Sequence, residues 1–534
     1  MTKIANGGAE RADTAATIPA RGPAPRIDLD AFRLLDFVEA LGPDELEIVE
    51  QPIELGDIAA RLEGNPKAVL FRAVGSERAT LVGNVTGSRS RLARAFGVSP
   101  DRLLPELLAR LQRAPQVVTV QRDQAPVQQV VQTGDDVDLL ALPIHVQHGL
   151  DGGPYISASI DFVTDPQRGV TNVGVRRLML RGPRETGVDL VSPSDFRAIY
   201  EAALARNERL PVSFVVGSHP LDHVAATMRL PVDELGLVAT LRNRPLAVVK
   251  GVTNDILTPA DAEMVLEGYL DERGYCEAEG PYGEFLGYYG GVKRNPVFHC
   301  TAICRRRDAL FQTMTISGPT MGYTDSSPLI ALRTEAMVWR ALEGAVREPV
   351  AVYATGASGG MMNVRIAIRQ RAPGEARNAI AAAFASLANV KNVFVVDPDI
   401  DIFSDQQLDW ALATRFRPDQ DIIVAPGLRA LPLDPSVGPD RTGAKAGFDL
   451  TWPFGAGGAI DHQVPAPPVF GRGRRFASVE AALRDGPRTF VELMDAMGTR
   501  DGRDVVAALA PLRADPGLDV TAAGRYQLMG GKGG

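Results

Sequence analysis

Three cysteines in 534 residues (Cys276, Cys300 and Cys304) cannot build a disulfide framework, and so sparse a set points to a reducing cytoplasm. No stretch approaches the ~18 consecutive apolar residues that span a bilayer, which excludes a helical membrane anchor. Basic charge is not in excess: 57 Lys and Arg stand against 65 Asp and Glu, a net charge of -8 that argues against a nucleic-acid partner. Residues 1–26 have no apolar segment of the signal-peptide kind. Rich in Ala, Gly, Pro and Arg, they read as a disordered leader. A phosphate-binding GxGxxG after a strand is absent, and no lysine has a context that specifies a Schiff base. With 45% apolar residues the chain is an ordinary globular one, and its length implies about two to four domains.

Against these absences stands Glu279-Gly-Pro-Tyr-Gly-Glu284. Pro281 and the two glycines rule out a helix, so the stretch reads as a tight turn holding two carboxylates on one rim. Two acids in unlike environments are how a fold keeps one protonated while the other stays charged. Taken alone, the same residues describe a surface turn with two solvated glutamates. His299-Cys300 and Cys304 have a ligand-like spacing, but they fall in Val297-Phe-His-Cys-Thr-Ala-Ile-Cys304, which reads as a strand with core cysteines. His145 and His148 lie in a segment of loop composition, where loop hydrogen bonding accounts for them.

The chain divides into an N-terminal α/β part (27–130), a strand-rich part (131–322), a layered α/β part (323–470) and a C-terminal appendage (471–534). In the first, a helix is expected over Asp30 to Leu41 with Asp30 as a possible N-cap, strands at 68–71 and 79–82, and helices at 88–96 and 101–111. In the second, strands 155–163 and 170–180 flank the turn Asp165-Pro-Gln-Arg-Gly169 as a hairpin. Further strands are expected at 212–216, 247–252, 262–270, 297–304 and 309–316, with helices at 194–206 and 219–228. Many short strands point to a barrel. In the third, a helix from Leu329 leads into strands 349–354, 361–369 and 392–396, alternating with helices 374–387 and 405–415. The appendage reads as helices 489–497 and 502–513 followed by a hairpin over 518–528. That order is winged-helix-like, but Asp504 beside Arg503 suits a packing or oligomer contact better than DNA readout.

Glu279-Gly-Pro-Tyr-Gly-Glu-Phe-Leu-Gly-Tyr288 and Thr171-Asn-Val-Gly-Val-Arg-Arg177 resemble motifs of the UbiD family of reversible decarboxylases. Val252-Thr-Asn-Asp-Ile-Leu257, Val265-Leu-Glu-Gly268 and Lys445-Ala-Gly-Phe-Asp449 match in the same order, over residues 30 to 470. The resemblance implies a split β-barrel of the flavin-reductase kind in the centre, a C-terminal domain that pairs subunits, and at least a homodimer. It also supplies what the chemistry needs. Removing carbon dioxide from an aromatic, heteroaromatic or α,β-unsaturated acid leaves a carbanion that no side chain can delocalise, and the family uses prenylated FMN as the electron sink. A flavin prenyltransferase is then the cofactor's source.

By the same resemblance Arg177, Glu279 and Glu284 are the catalytic set. Arg177 pairs with Glu279 and holds the substrate carboxylate, and Glu284 delivers the proton that replaces carbon dioxide, through a covalent substrate–cofactor adduct. Arg177 stabilises the ionised form of any close carboxyl. The acid is therefore expected to need distance from it, desolvation, or carboxylate neighbours. Arg176 should face the other way along the strand. Cofactor contacts map onto Asn172, Val175, Arg177, Ser194, Ala226, Thr227, Met228, Glu234 and Lys391, with Arg229 a further phosphate partner. The family's divalent metal (Mn²⁺ or Mg²⁺), beside a monovalent K⁺ or Na⁺, maps onto Asn172, Asp195 and Glu234. Asp195 stands where the family has histidine, and it could equally cap a helix. The alternative is a split-barrel oxidoreductase using ordinary FMN, which would need neither glutamate. A non-enzymatic sensor with the tail as its output is a third reading, which the acidic balance disfavours.

Overall fold

Alternating small and apolar residues in Tyr155–Thr164 (β1) and Thr171–Leu180 (β2) form the expected antiparallel hairpin, with Ile160 facing Val175 and Val163 facing Asn172. This is a computed structural model; it describes residues 27–228, 230–386, 389–456, 460–471, 473–514 and 517–529. The expected leader and Arg229 lie outside the described residues. Strands Glu185–Val188 (β3), Leu210–Val216 (β4), Met264–Leu270 (β5) and Val297–Arg305 (β6) join the hairpin in the spatial order β5-β4-β1-β2-β3-β6. Pairing of β5 with β6 closes the ring, giving a six-stranded barrel, and Val130–Thr133 adds to the outside of β6. Closure depends on a bulge at Glu267/Gly268. A β-carbon on Gly268 would lie 2.0 Å from the His299 carbonyl oxygen, so only glycine lets the strands meet. Cys300 and Cys304 are buried in β6, as core packing requires.

Helices Asp195–Ala205 (α1), Pro220–Thr227 (α2) and Glu234–Arg242 (α3) lie among the barrel strands in the chain. The first two were expected. The third was not: every residue of α3 is buried, so it carries no amphipathic stripe to read. Strands Leu46–Val49, Ala68–Val74 and Ala79–Gly83 form the N-terminal sheet, whose fourth member is Phe311–Gln312. The strand expected at 309–316 is thus shortened, and it belongs to that sheet rather than to the barrel. The first helix runs only over Leu34–Glu39, with Arg33 at its N-cap, so Asp30 does not cap it. The buried Asp325 carboxylate ties the parts together by accepting from the backbone of Asn84 at 3.0 Å, Thr86 at 2.6 Å and Thr315 at 3.0 Å.

Asp325 immediately precedes the helix Ser326–Glu343, which opens the C-terminal layer. Its sheet has the order Pro349–Ala354, Asn363–Ile368, Asn392–Val396, Thr442–Asp449, Ile422–Arg429. The last two strands were missed by sequence reasoning. Ile422–Arg429 contains Pro426 and Gly427 and is bulged between Ala425 and Leu428, as edge strands often are. The appendage forms three helices, Val479–Arg484, Phe490–Met497 and Gly502–Ala514, and the hairpin Leu518–Val520/Tyr526–Leu528, around its own core of Leu483, Leu493, Val505 and Leu509. Arg503 is spent on Asp501 at 2.6 Å. No helix among the described residues is long and apolar enough to cross a membrane.

Candidate active site

Strand periodicity sends the two arginines of β2 to opposite faces. Arg176 turns to Asp161 (3.2 Å), the Ser194 hydroxyl (3.3 Å) and the Phe196 ring, as expected of a residue facing away from the catalytic set. Arg177 turns to the turn that carries both glutamates. Its Nε donates to Glu279 Oε1 at 3.0 Å, its Nη2 to Glu279 Oε2 at 3.3 Å, and its Nη1 to Glu284 Oε1 at 3.0 Å. The Tyr282 ring lies 4.5 Å from the guanidinium carbon, and Tyr155 packs on Tyr282. Glu279 and Glu284 are buried, so they are not solvated surface acids.

The turn is pinned from behind. Asp151 accepts from the Gly283 backbone at 3.0 Å and from His148 Nδ1 at 3.0 Å. Burial works against charge on His148, but the Asp151 carboxylate outweighs it and raises the imidazole above its ordinary value. His145 goes the other way, lowered by burial, with Nε2 on Thr313. Both histidines serve loop hydrogen bonds, as their composition implied.

Three members of the cluster escaped sequence reasoning. Asp189 Oδ2 lies 2.9 Å from Arg177 Nη2 and 3.3 Å from Lys293 Nζ; Lys293 also reaches Glu284 Oε1 at 3.2 Å. Asn295 donates to Glu279 Oε2 at 3.1 Å. Lys293–Asn295 pairs with Glu277–Glu279, placing Lys293 directly opposite Glu279. The hairpin around the glycine-rich turn was the available signal for Lys293 and Asn295. Asp189 comes from a loop after β3, and nothing local marks it. Burial alone would strip charge from Arg177, but Asp189, Glu284 and Glu279 hold it firmly protonated. Likewise burial raises Asp189, and Arg177 and Lys293 more than reverse this, leaving it below the usual carboxylate range. The distance from Arg177 expected of the acid is not found: Glu284 Oε1 touches both Arg177 and Lys293.

Further along β2, Asn172 donates through Nδ2 to Glu234 Oε2, which also accepts from the Val173 backbone at 2.6 Å. Asp233 caps α3 and accepts from the Thr171 backbone at 2.8 Å, which holds Glu234 in place at the first helical position. Ser194 caps α1 by accepting from the Arg197 backbone at 3.2 Å, so Asp195 is not the cap. Asn172, Asp195 and Glu234 line one cavity of about 300 Å³. Burial, with help from Asp161 and Asp195, pushes Glu234 up to about 7 against the pull of Val173 and Asn172. The Asn172 side-chain oxygen is buried without a hydrogen-bond partner. Among the described residues no three His, Cys, Asp or Glu side chains converge as a metal cage. Ala226 and Met228 are buried at the end of α2, and the Thr227 hydroxyl donates to the Val224 carbonyl at 2.8 Å. Lys391 is paired with Asp434 at 2.7 Å and Ser436 at 2.6 Å, in the C-terminal layer.

The model of the 3-octaprenyl-4-hydroxybenzoate carboxy-lyase family matches this chain three times over: its N-terminal domain on residues 44–111, its Rift-related domain on 118–319 and its C-terminal domain on 327–450. The chain belongs to the UbiD family. It is 32% identical to anhydromevalonate phosphate decarboxylase of Methanosarcina mazei, over 78% of this chain and 95% of that one. Phenolic acid decarboxylase of Sedimentibacter hydroxybenzoicus is 30% identical, over 74% and 85%. The UbiD-class enzyme HmfF from Pelotomaculum thermopropionicum, in complex with FMN, superposes with a TM-score of 0.75 at 32% identity, covering 82% of this chain and 97% of that one. An evolved dimeric form of HmfF in complex with prFMN gives a TM-score of 0.72 at 30% identity, over 82% and 96%. As a UbiD protein with decarboxylase relatives, the chain is a carboxy-lyase.

Proposed function

We propose that this UbiD protein reversibly and non-oxidatively decarboxylates an aromatic, heteroaromatic or α,β-unsaturated carboxylic acid, with prenylated FMN as its cofactor. The observation that carries the reading is Arg177 clamped between Glu279 and Glu284 in a buried site. Hydride transfer by ordinary FMN has no use for that set. The relatives that decarboxylate anhydromevalonate phosphate and phenolic acids support the substrate class, and the flavin complexes of HmfF support the cofactor.

When bound, the flavin supplies the electron sink that no side chain here provides. The protein does the rest. Glu279 and Asn295 fix the plane of the Arg177 guanidinium, whose Nη groups hold the substrate carboxylate out of water. As the carbon–carbon bond breaks, carbon dioxide departs and its electron pair stays with the substrate carbon. Glu284 then gives its proton to that carbon and is left as a carboxylate, to be recharged from solvent. Asn172, Asp195 and Glu234 would hold a divalent Mn²⁺ or Mg²⁺ at the flavin phosphate; the unpartnered Asn172 oxygen and the two carboxylates are hard donors that fit such an ion. Ser194, Val175 and the Ala226-Thr227-Met228 end of α2 would contact the cofactor, beside a K⁺ or Na⁺, and Lys391 would have to leave Asp434 to reach it. The C-terminal layer would pair subunits.

The test is headspace carbon dioxide and product mass for a panel of aromatic and acrylic acids, with the protein co-produced with a flavin prenyltransferase. Release that requires the prenyltransferase and collapses in Glu284→Gln supports the reading. Tight binding of ordinary FMN with nicotinamide oxidation, and no release, overturns it.

A further inference from the structure

Glu284, Lys293, Asp189 and Arg177 form a closed ring of alternating charge. Glu284 Oε1 touches Arg177 Nη1 (3.0 Å) and Lys293 Nζ (3.2 Å), while Asp189 Oδ2 touches Arg177 Nη2 (2.9 Å) and the same Lys293 Nζ (3.3 Å). Both cations seize one oxygen of Glu284. Its other oxygen, Oε2, accepts no hydrogen bond among the described residues.

We propose that Lys293 is a positioning residue for proton delivery: it holds Glu284 by Oε1, so that Oε2 carries the transferable proton, and it keeps that hold when the substrate carboxylate takes over Arg177. The inference rests on the decarboxylase reading above. A carboxyl protonated on Oε2 still accepts at Oε1, so the Lys293 hydrogen bond survives in both protonation states of Glu284. Arg177 cannot offer the same constancy. Its Nη1 and Nη2 are already committed to Glu284, Glu279 and Asp189, and an entering carboxylate competes for those same protons. Lys293 reaches Glu284 from a different segment, the strand paired opposite Glu279, and its hold does not depend on the guanidinium.

Charge supports the same role. With all groups ionised, Arg177 and Lys293 face Glu279, Glu284 and Asp189, one net negative charge in a buried site. A substrate carboxylate adds another, and without Lys293 there would be a third, all of it near a single guanidinium. The Lys293 side chain is also the most open member of the ring, 25% exposed against 7% for Glu284.

The experiment is steady-state decarboxylation by the flavin-loaded protein in H₂O and D₂O, comparing wild type with Lys293→Met, Lys293→Arg and Glu284→Gln, together with a crystal structure of Lys293→Met. Loss of the hold should lower kcat about tenfold to a hundredfold while KM changes less than about threefold. It should also enlarge the solvent isotope effect on kcat, as proton transfer becomes slower than the other steps. Lys293→Arg should recover most of the rate, and with a substrate carboxylate bound the Glu284 carboxylate should swing away from Arg177 in the Met variant. Should Lys293→Met keep wild-type kcat and isotope effect, or lose kcat and KM equally with no rescue by Arg, the positioning role is wrong. Wild-type release of carbon dioxide, abolished in Glu284→Gln, separates that outcome from failure of the decarboxylase reading. If wild type itself releases none, both fall.

Discussion

Replacing Gly290 by alanine should disable Glu284 without touching any group that does chemistry. Gly290 faces Tyr282 across the two-residue ladder of the turn, and its backbone is not in the left-handed region, so alanine is accepted locally. The added β-carbon would stand 2.6 Å from Glu284 Oε1 and 3.0 Å from its Cγ. Restoring ordinary contact needs the carboxylate to retreat by roughly 0.8 Å, enough to stretch its 3.0 Å and 3.2 Å contacts with Arg177 and Lys293 out of hydrogen-bonding range. A misplacement near 1 Å at a reacting group costs on the order of 10²-fold. We therefore expect kcat for carbon dioxide release to fall about tenfold to a hundredfold, with KM little altered because Arg177 and Glu279 are undisturbed. The crowded atom is the end of a flexible side chain, so the thermal midpoint should stay close to wild type. Gly291→Ala is the matched control, since its β-carbon would meet nothing within 4 Å. If Gly290→Ala turns over as fast as Gly291→Ala, Glu284 does not act from the position described, and the assignment of the proton donor fails.

Three other outcomes follow from the same geometry. Glu234→Gln should lower bound Mn²⁺ in the purified protein, measured by elemental analysis; in wild type, metal affinity should rise with pH through about 7, where Glu234 loses its proton. His148 is raised by Asp151, so the pair stabilises the turn fully below the unfolded histidine value and loses that contribution as pH climbs through the raised one. The thermal midpoint of flavin-free protein should accordingly fall more steeply above pH ~6.5 in wild type than in His148→Gln, and equal slopes would remove His148 from the account. Gly268→Ala should destabilise the barrel by at least about 1–3 kcal/mol in urea unfolding, because its β-carbon meets the rigid His299 carbonyl rather than a movable side chain; an unchanged midpoint would mean that β5 and β6 can part without cost.

Much of the site could be read because its signals are local. Pro281 and the glycines around it dictate a turn wherever they occur, and Glu279 and Glu284 flank them. Arg177 sits on a strand whose pattern is plain, and parity alone sends Arg176 the other way. Helix α1 was expected from the sequence, although the cap is Ser194 and not Asp195. Helix α3 was not, since burial on all sides erases the stripe that marks a helix. The outer strand Ile422–Arg429 was hidden by Pro426 and Gly427.

By itself, then, the sequence determined the hairpin, the rigid turn and the order of the α/β layers, all of which depend on residues a few positions apart. Only the tertiary structure decided what lies against Glu284. Asp189 arrives from the loop after β3, and Lys293 from the far strand of the turn. Phe311–Gln312 crosses to the N-terminal sheet, and the bulge at Gly268 lets β5 meet β6. These are contacts between segments whose individual patterns say nothing about each other. Their energy comes from burying opposite charges and matching strand edges, and it exists only once the chain has closed on itself.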